Sequence, residues 1–207
     1  MNGAPAPGVF GKLASQGDFV TRRLPPAFVQ TWDTWLQEGM QALRERCGDA
    51  WLDGYLHAPV WRFALAPGMC GVLLPSVDRV GRHFPLTLAM LTEAPLALAT
   101  GAGAWFDALA GLALRAMCGE MSVADLDLAL LALGAPQCHA VKTDPGWIPL
   151  DSPLGACVAL AQSVCPAEVA RKSLFWTEGT PTLAPALFVS DGLPSAQVLG
   201  AMLGAGP

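Results

Sequence analysis

A chain of 207 residues that is 53% hydrophobic and only 14% charged can hold a core without disulfides or metals, since a domain of this size buries about 70% of its unfolded surface. Its net charge of −5 and the absence of any Lys/Arg block argue against nucleic acid, which demands a basic surface facing phosphates. Ordinary domains carry about 25% charge, so here apolar side chains must reach the exterior, where contiguous patches mark partner sites.

The opening MNGAPAPGVFGKL lacks the basic n-region and unbroken apolar core of a secretory signal. Arg22-Arg23 runs into Leu24-Pro25-Pro26 and a helical pattern, so it reads as part of the fold and a cytoplasmic location is expected. The longest charge-free stretches, 152–167 and 192–207, are broken by Pro, Gly and Ser and fall short of the ~18 apolar residues of a membrane span. Six cysteines, at 47, 70, 118, 138, 157 and 165, show no C-x-x-C spacing. Free thiols are therefore expected, with no metal and no cofactor.

In chain order, Val9 to Leu13 reads as an opening strand closed by the turn residues Ser15 to Asp18. Pro25 and Pro26 suit a helix start, and Phe28, Trp32, Trp35, Leu36, Met40 and Leu43 then fall on one helical stripe that Gly48 stops. Asp49 is placed to cap a short helix from Ala50 to Leu56. Residues 61–66, 70–76 and 84–91 are apolar runs of strand length. Their connectors are too short for a parallel crossover, so they should be consecutive antiparallel neighbours.

After Gly101 to Gly103, Trp105, Leu109, Leu112 and Ala116 share a helical face; Ser122 and Asp125 then form a capping box for a helix to Leu133. Residues 137–172 are proline-rich at first, with a small-residue helix suggested over 154–164. Ser173 to Thr177 and Ala186 to Ser190 read as strands, and Ser195 to Leu203 as a closing helix. With no repeat and no long linker, one domain over 1–207 is expected, built as a three-layer α/β/α sandwich. Its central sheet should be mixed and largely antiparallel, flanked by helices.

The densest polar string is Ser76-Val-Asp78-Arg79-Val-Gly-Arg82-His83, between two strands. It holds a hydroxyl, a carboxylate and an imidazole, but catalytic triads draw their members from separate elements. The bland reading is a turn in which Asp78 accepts backbone N–H groups and pairs with Arg82 while Gly81 takes positive φ. The sharper reading is an interaction loop, because Arg79 and Arg82 can fork onto a partner's carboxylates. The glycine-flanked segment 8–17 is no phosphate loop, since Lys12 is followed by Leu13 where such a loop requires Ser or Thr. Trp32, Trp35, Trp51, Trp61 and Trp105 are read as packing residues. His57 and His139 have no partner of matching type nearby.

Several strings resemble the TagF/ImpM family associated with type VI secretion. GVFGKLASQGDFV at 8–20 is similar to that family's opening G-x-[FY]-G-K-L-P-x-x-G-D-F-[IV], with Ala14 where proline is common. Trp32 to Leu36 resembles its W-D-x-W-L helix, Trp61 to Gly71 its W-x-F-x-L-x-x-G-x-x-G hairpin, and Ser173 to Gly179 its late S-x-W-W-x-x-G. Pro75 to Leu86 is similar to P-S-x-D-x-V-G-R-x-[FY]-P-L.

The resemblance implies an α/β sandwich and a cytoplasmic, non-enzymatic protein that represses type VI secretion post-translationally through an FHA-domain scaffold. Some relatives are fused to a protein phosphatase, a fusion not expected in this short chain. The partner-binding candidates are Asp78, Arg79, Arg82 and His83, with Lys12 and Asp18 on the second turn. A small-ligand sensor and, behind it, a small hydrolase using Ser76, Asp78 and His83 are the competing readings.

Overall fold

The computed structural model describes residues 5–66, 68–137, 171–181 and 183–204. Seven strands form one sheet: β1 Gly8–Gly11, β2 Val20–Arg22, β3 Trp61–Leu65, β4 Met69–Leu74, β5 Leu86–Leu91, β6 Ser173–Thr177 and β7 Ala186–Ser190. Their order is β2-β1-β5-β4-β3-β6-β7, and each described pairing is antiparallel. The helices are α1 Pro26–Cys47, α2 Trp51–Leu56, α3 Pro95–Gly101, α4 Gly103–Met117, α5 Val123–Leu133 and α6 Ala196–Met202.

Strand alternation sorts the core into two halves. On β4, Cys70, Val72 and Leu74 face one side with Val9, Leu86 and Leu88, and meet Phe106, Leu109 and Ala113 of α4 and Leu126 and Leu130 of α5. Met69 and Leu73 face the other side with Phe10 and Phe63, and meet Trp32, Trp35 and Leu36 of α1 and Leu199 of α6. Helices thus cover both faces, giving the α/β/α sandwich. Because β4 has no solvent face, all six of its residues are buried, and its sequence runs continuously apolar instead of alternating.

Buried indoles need acceptors for their N–H, and the fold supplies them. Trp32 Nε1 donates to Thr87 Oγ1 at 2.8 Å, Trp35 Nε1 to the Pro194 carbonyl at 2.7 Å, and Trp61 Nε1 to the Met202 carbonyl at 2.9 Å. Trp105 Nε1 donates to the Gly134 carbonyl at 3.0 Å. Trp176 is also buried. The exposed His57 ring lies 2.8 Å from the Asp53 carbonyl and 3.4 Å from the Asp53 carboxylate, a helix-surface partner that the sequence pattern did not suggest.

The three central strands pair in the expected order, β3 with β4 and β4 with β5. Ser122 and Asp125 form the reciprocal capping box that opens α5, and Ser195 accepts from Val198 N at the start of α6. Four details differ from the sequence reading. The first strand ends at Gly11, so Lys12 and Leu13 lie beyond it.

The three-residue strand β2, too short to show alternation, was not foreseen. Nor was α3, whose small residues offer little periodicity. Asp49 caps nothing: it sits inside a 3-10 turn, Gly48–Ala50, and α2 starts without a side-chain cap. Cys47, Cys70 and Cys118 are free, and burial pushes the Cys70 thiol up to about 12. The cysteines at 138, 157 and 165, and the helix suggested over 154–164, lie outside the described residues.

Candidate functional site

Sheet register brings the two polar turns together. Gly11 on β1 and Leu74 on β4 are both registered to Leu86, one from each side of β5. The residues just past Gly11 and just past Leu74 must therefore emerge at the same end of the sheet. Gly11 is required there, because its φ is 128° and a Cβ would stand 2.1 Å from the Pro85 carbonyl oxygen.

Lys12 and Asp78 meet at this end, Nζ to Oδ2 at 2.8 Å, with side-chain exposures of 7% and 0%. The Lys12 ammonium also lies 5.3 Å from the centre of the Phe19 ring. Asp78 Oδ2 accepts a second bond from Arg82 Nε at 2.7 Å, while Oδ1 accepts the backbone N–H of Val80 at 3.0 Å and of Arg82 at 2.9 Å. Burial by itself raises the pKa of this carboxyl. The bonds from Lys12, Arg82 and Val80 outweigh that and hold it well below the ordinary carboxylate range.

The rest of the loop is closed by backbone bonds. Asp78 N donates to the Arg82 carbonyl at 3.0 Å, Gly81 N to the Asp78 carbonyl at 3.0 Å, and Phe84 N to the Ser76 carbonyl at 3.1 Å. Gly81 has φ 85°, which L-residues with a Cβ avoid. The loop is stitched to the other turn as well: Arg79 N donates to the Gln16 carbonyl at 2.9 Å, and Arg82 Nη2 donates to the Gly17 carbonyl. Asp18 stands fully in solvent, 3.9 Å from Arg82 Nη2.

Tyr55, the single tyrosine of the chain, anchors the loop from below. Its hydroxyl donates to the Ser76 carbonyl at 2.9 Å and accepts from Ser76 N at 2.8 Å. Nothing in the local sequence announces this role, since Tyr55 sits on α2, 21 positions away. Ser76 Oγ donates to the Lys12 carbonyl at 2.8 Å. His83 is turned against the rings of Trp51 and Tyr55 instead, with centroid distances of 5.7 and 5.8 Å. Ser76, Asp78 and His83 thus form no nucleophile–base chain.

Of the six candidates, Lys12 and Asp78 are enclosed and act by holding the loop in shape. Arg82 has both roles open to it, with one edge bound inward and 56% of its side chain exposed. Arg79 and Asp18 face solvent, and His83 is half-buried. Two apolar neighbours, Phe19 at 49% and Val80 at 64% exposure, join them, and charge patterning in the sequence gives no signal for either. The outward surface is therefore an apolar pair set among Arg79, Arg82 and Asp18. Among the described residues no group of His, Cys, Asp or Glu could hold a metal ion, and no helix is long and apolar enough to cross a membrane.

Residues 8–133 match the family model of the TagF N-terminal domain, type VI secretion system-associated. The match spans both turns of the site. The crystal structure of PA0076 from Pseudomonas aeruginosa PAO1 is similar over 98% of this chain and 96% of that one, with a TM-score of 0.79 and 37% sequence identity. No curated protein matches the chain.

Proposed function

We propose that this chain, which belongs to the TagF family of type VI secretion-associated proteins, is a non-enzymatic repressor that acts post-translationally by binding a protein of the secretion apparatus. The partner is an FHA-domain scaffold component, and the meeting takes place in the cytoplasm. The observation that carries this reading is the loop from Asp78 to His83. Its carboxylate is consumed internally, and what it turns outward is Arg79, Val80 and one edge of Arg82.

Such a surface suits recognition better than chemistry. A rigid loop loses little entropy on binding, and arginine beside exposed apolar side chains is the composition of interface hot spots. The hydroxyl of Ser76 is tied to a backbone carbonyl, which offers a hydrolase no activated nucleophile at this loop.

The test is co-purification with the FHA scaffold from native cells, followed by affinity measurement with Arg79→Ala, Val80→Asp and Arg82→Ala. Loss of a central interface residue costs about 2 kcal/mol or more, roughly a thirtyfold drop in affinity. Arg79→Ala and Val80→Asp should show that drop with an unchanged melting temperature. Arg82→Ala should lower both, because Arg82 also binds Asp78. Undiminished binding by all three variants would remove the loop from the interface.

A further inference from the structure

A groove of about 430 Å³ runs beside this loop, between it and α1. Gln37, Met40, Gln41 and Arg44 line one wall, at the three- and four-residue spacings of a single helix face, and His83 and Phe84 line the other. None of the six is acidic, and Arg44 carries a full positive charge.

Arg44 is held without being neutralised. Its guanidinium lies over the Trp51 ring, 4.7 Å from the centroid, and among the described residues it has no ion pair. Stacking of this kind engages the face of the guanidinium and leaves the N–H donors around its edge available. Two carboxylates of α1 border the groove through its amides, Asp33 accepting from Gln37 Nε2 at 2.8 Å and Glu45 from Gln41 Nε2 at 2.7 Å, and neither pairs with Arg44. The same Trp51 ring meets His83 edge-on, at an interplanar angle of 90°. One indole thus positions both the cation and the imidazole.

We propose that this groove is a carboxylate-binding site, in which Arg44, braced by Trp51, receives an acidic side chain of the partner protein. A planar, preorganised fork with free edge donors matches a carboxylate through two parallel hydrogen bonds. The site deepens the regulatory reading above, on which the identity of the partner rests. The chemistry of the groove does not depend on that reading: the unpaired guanidinium selects an acidic side chain locally, against a chain of net charge −5.

The experiment titrates the isotopically labelled full chain with a hexaglutamate peptide at low salt, following the Arg44 Nε–H and Trp51 Nε1–H resonances by NMR. Both should shift and saturate in the millimolar range. Arg44→Gln should weaken the effect on Trp51 at least tenfold, Arg44→Lys should weaken it less, and Arg79→Ala should leave it intact. Arg44 is exposed, so both Arg44 variants should keep the wild-type spectrum elsewhere. A Trp51 resonance that does not move, or that moves equally in Arg44→Gln, overturns the site. Inorganic phosphate saturating the same resonances at lower concentration than the peptide would also overturn it, by assigning the groove to phosphate. No scaffold is present, so a failed titration leaves the regulatory reading standing, and failed co-purification leaves the groove.

Discussion

Lys12 and Asp78, 66 positions apart in the chain, form an ion pair at 2.8 Å that water scarcely reaches. Loss of Asp78 strands the enclosed Lys12 ammonium and loss of Lys12 leaves Asp78 to Arg82 and two backbone N–H groups, whereas removing both partners strands no charge at Lys12. Lys12→Met and Asp78→Asn should each lower the melting temperature, and the double variant should lose clearly less than the sum of the two. Calorimetry on the four proteins measures this, and additive losses would show that the two charges are not coupled.

The same carboxyl makes stability depend on pH. Its folded pKa lies below the ordinary value of 3.8. The unfolded chain therefore binds a proton at a pH where the folded one still does not. The sign follows: this stabilisation is fully present above about 3.8 and is lost as pH falls through and below that value. Denaturant melts between pH 5 and 2 should show a steeper acid loss for wild type than for Asp78→Asn, the difference approaching one bound proton. Parallel curves would contradict the assignment.

Tyr55→Phe tests the loop from beneath, without touching its outer surface. The change leaves the Ser76 N–H without its acceptor, while the Ser76 carbonyl keeps the bond from Phe84 N. An unsatisfied buried group costs about 1–3 kcal/mol, and in a chain of this size each kcal/mol lowers the melting temperature by about 2–4 °C. Affinity for the partner should also fall, since the loop loses its support. A variant as stable as wild type would mean that Tyr55 fills space only.

Two helical glycines should respond to alanine in opposite directions. Alanine is the better helix former by about 1 kcal/mol, so propensity alone stabilises both changes. At Gly111, on the exposed side of α4, a Cβ meets nothing within 4 Å. Gly111→Ala should accordingly gain about 0.5–1 kcal/mol. At Gly39 a Cβ would stand 2.3 to 3.0 Å from three side-chain carbons of Leu199, a residue with no exposure that has nowhere to move. Overpacking costs about 1–3 kcal/mol, which outweighs propensity, and α6 should be pushed off α1. Equilibrium denaturation of the two variants checks the signs.

The local rules read well wherever a segment's own residues set its structure. The apolar stripe of Trp32, Trp35, Leu36, Met40 and Leu43, the Ser122–Asp125 box, and the short connectors between β3, β4 and β5 all act over a few residues, so helices, a cap and antiparallel neighbours follow from the sequence. The Asp78 turn, with Arg82 paired and Gly81 at positive φ, is local in the same sense. Segments too short or too uniform for periodicity, such as β2 and α3, carry no such signal. What tertiary structure decided is which distant groups meet: Lys12 on Asp78 and Tyr55 under Ser76. The first of those meetings depends on β1 and β4 flanking β5 in register. Nothing between residues 12 and 78 encodes that adjacency locally, because it arises only when helices close over both faces of the sheet.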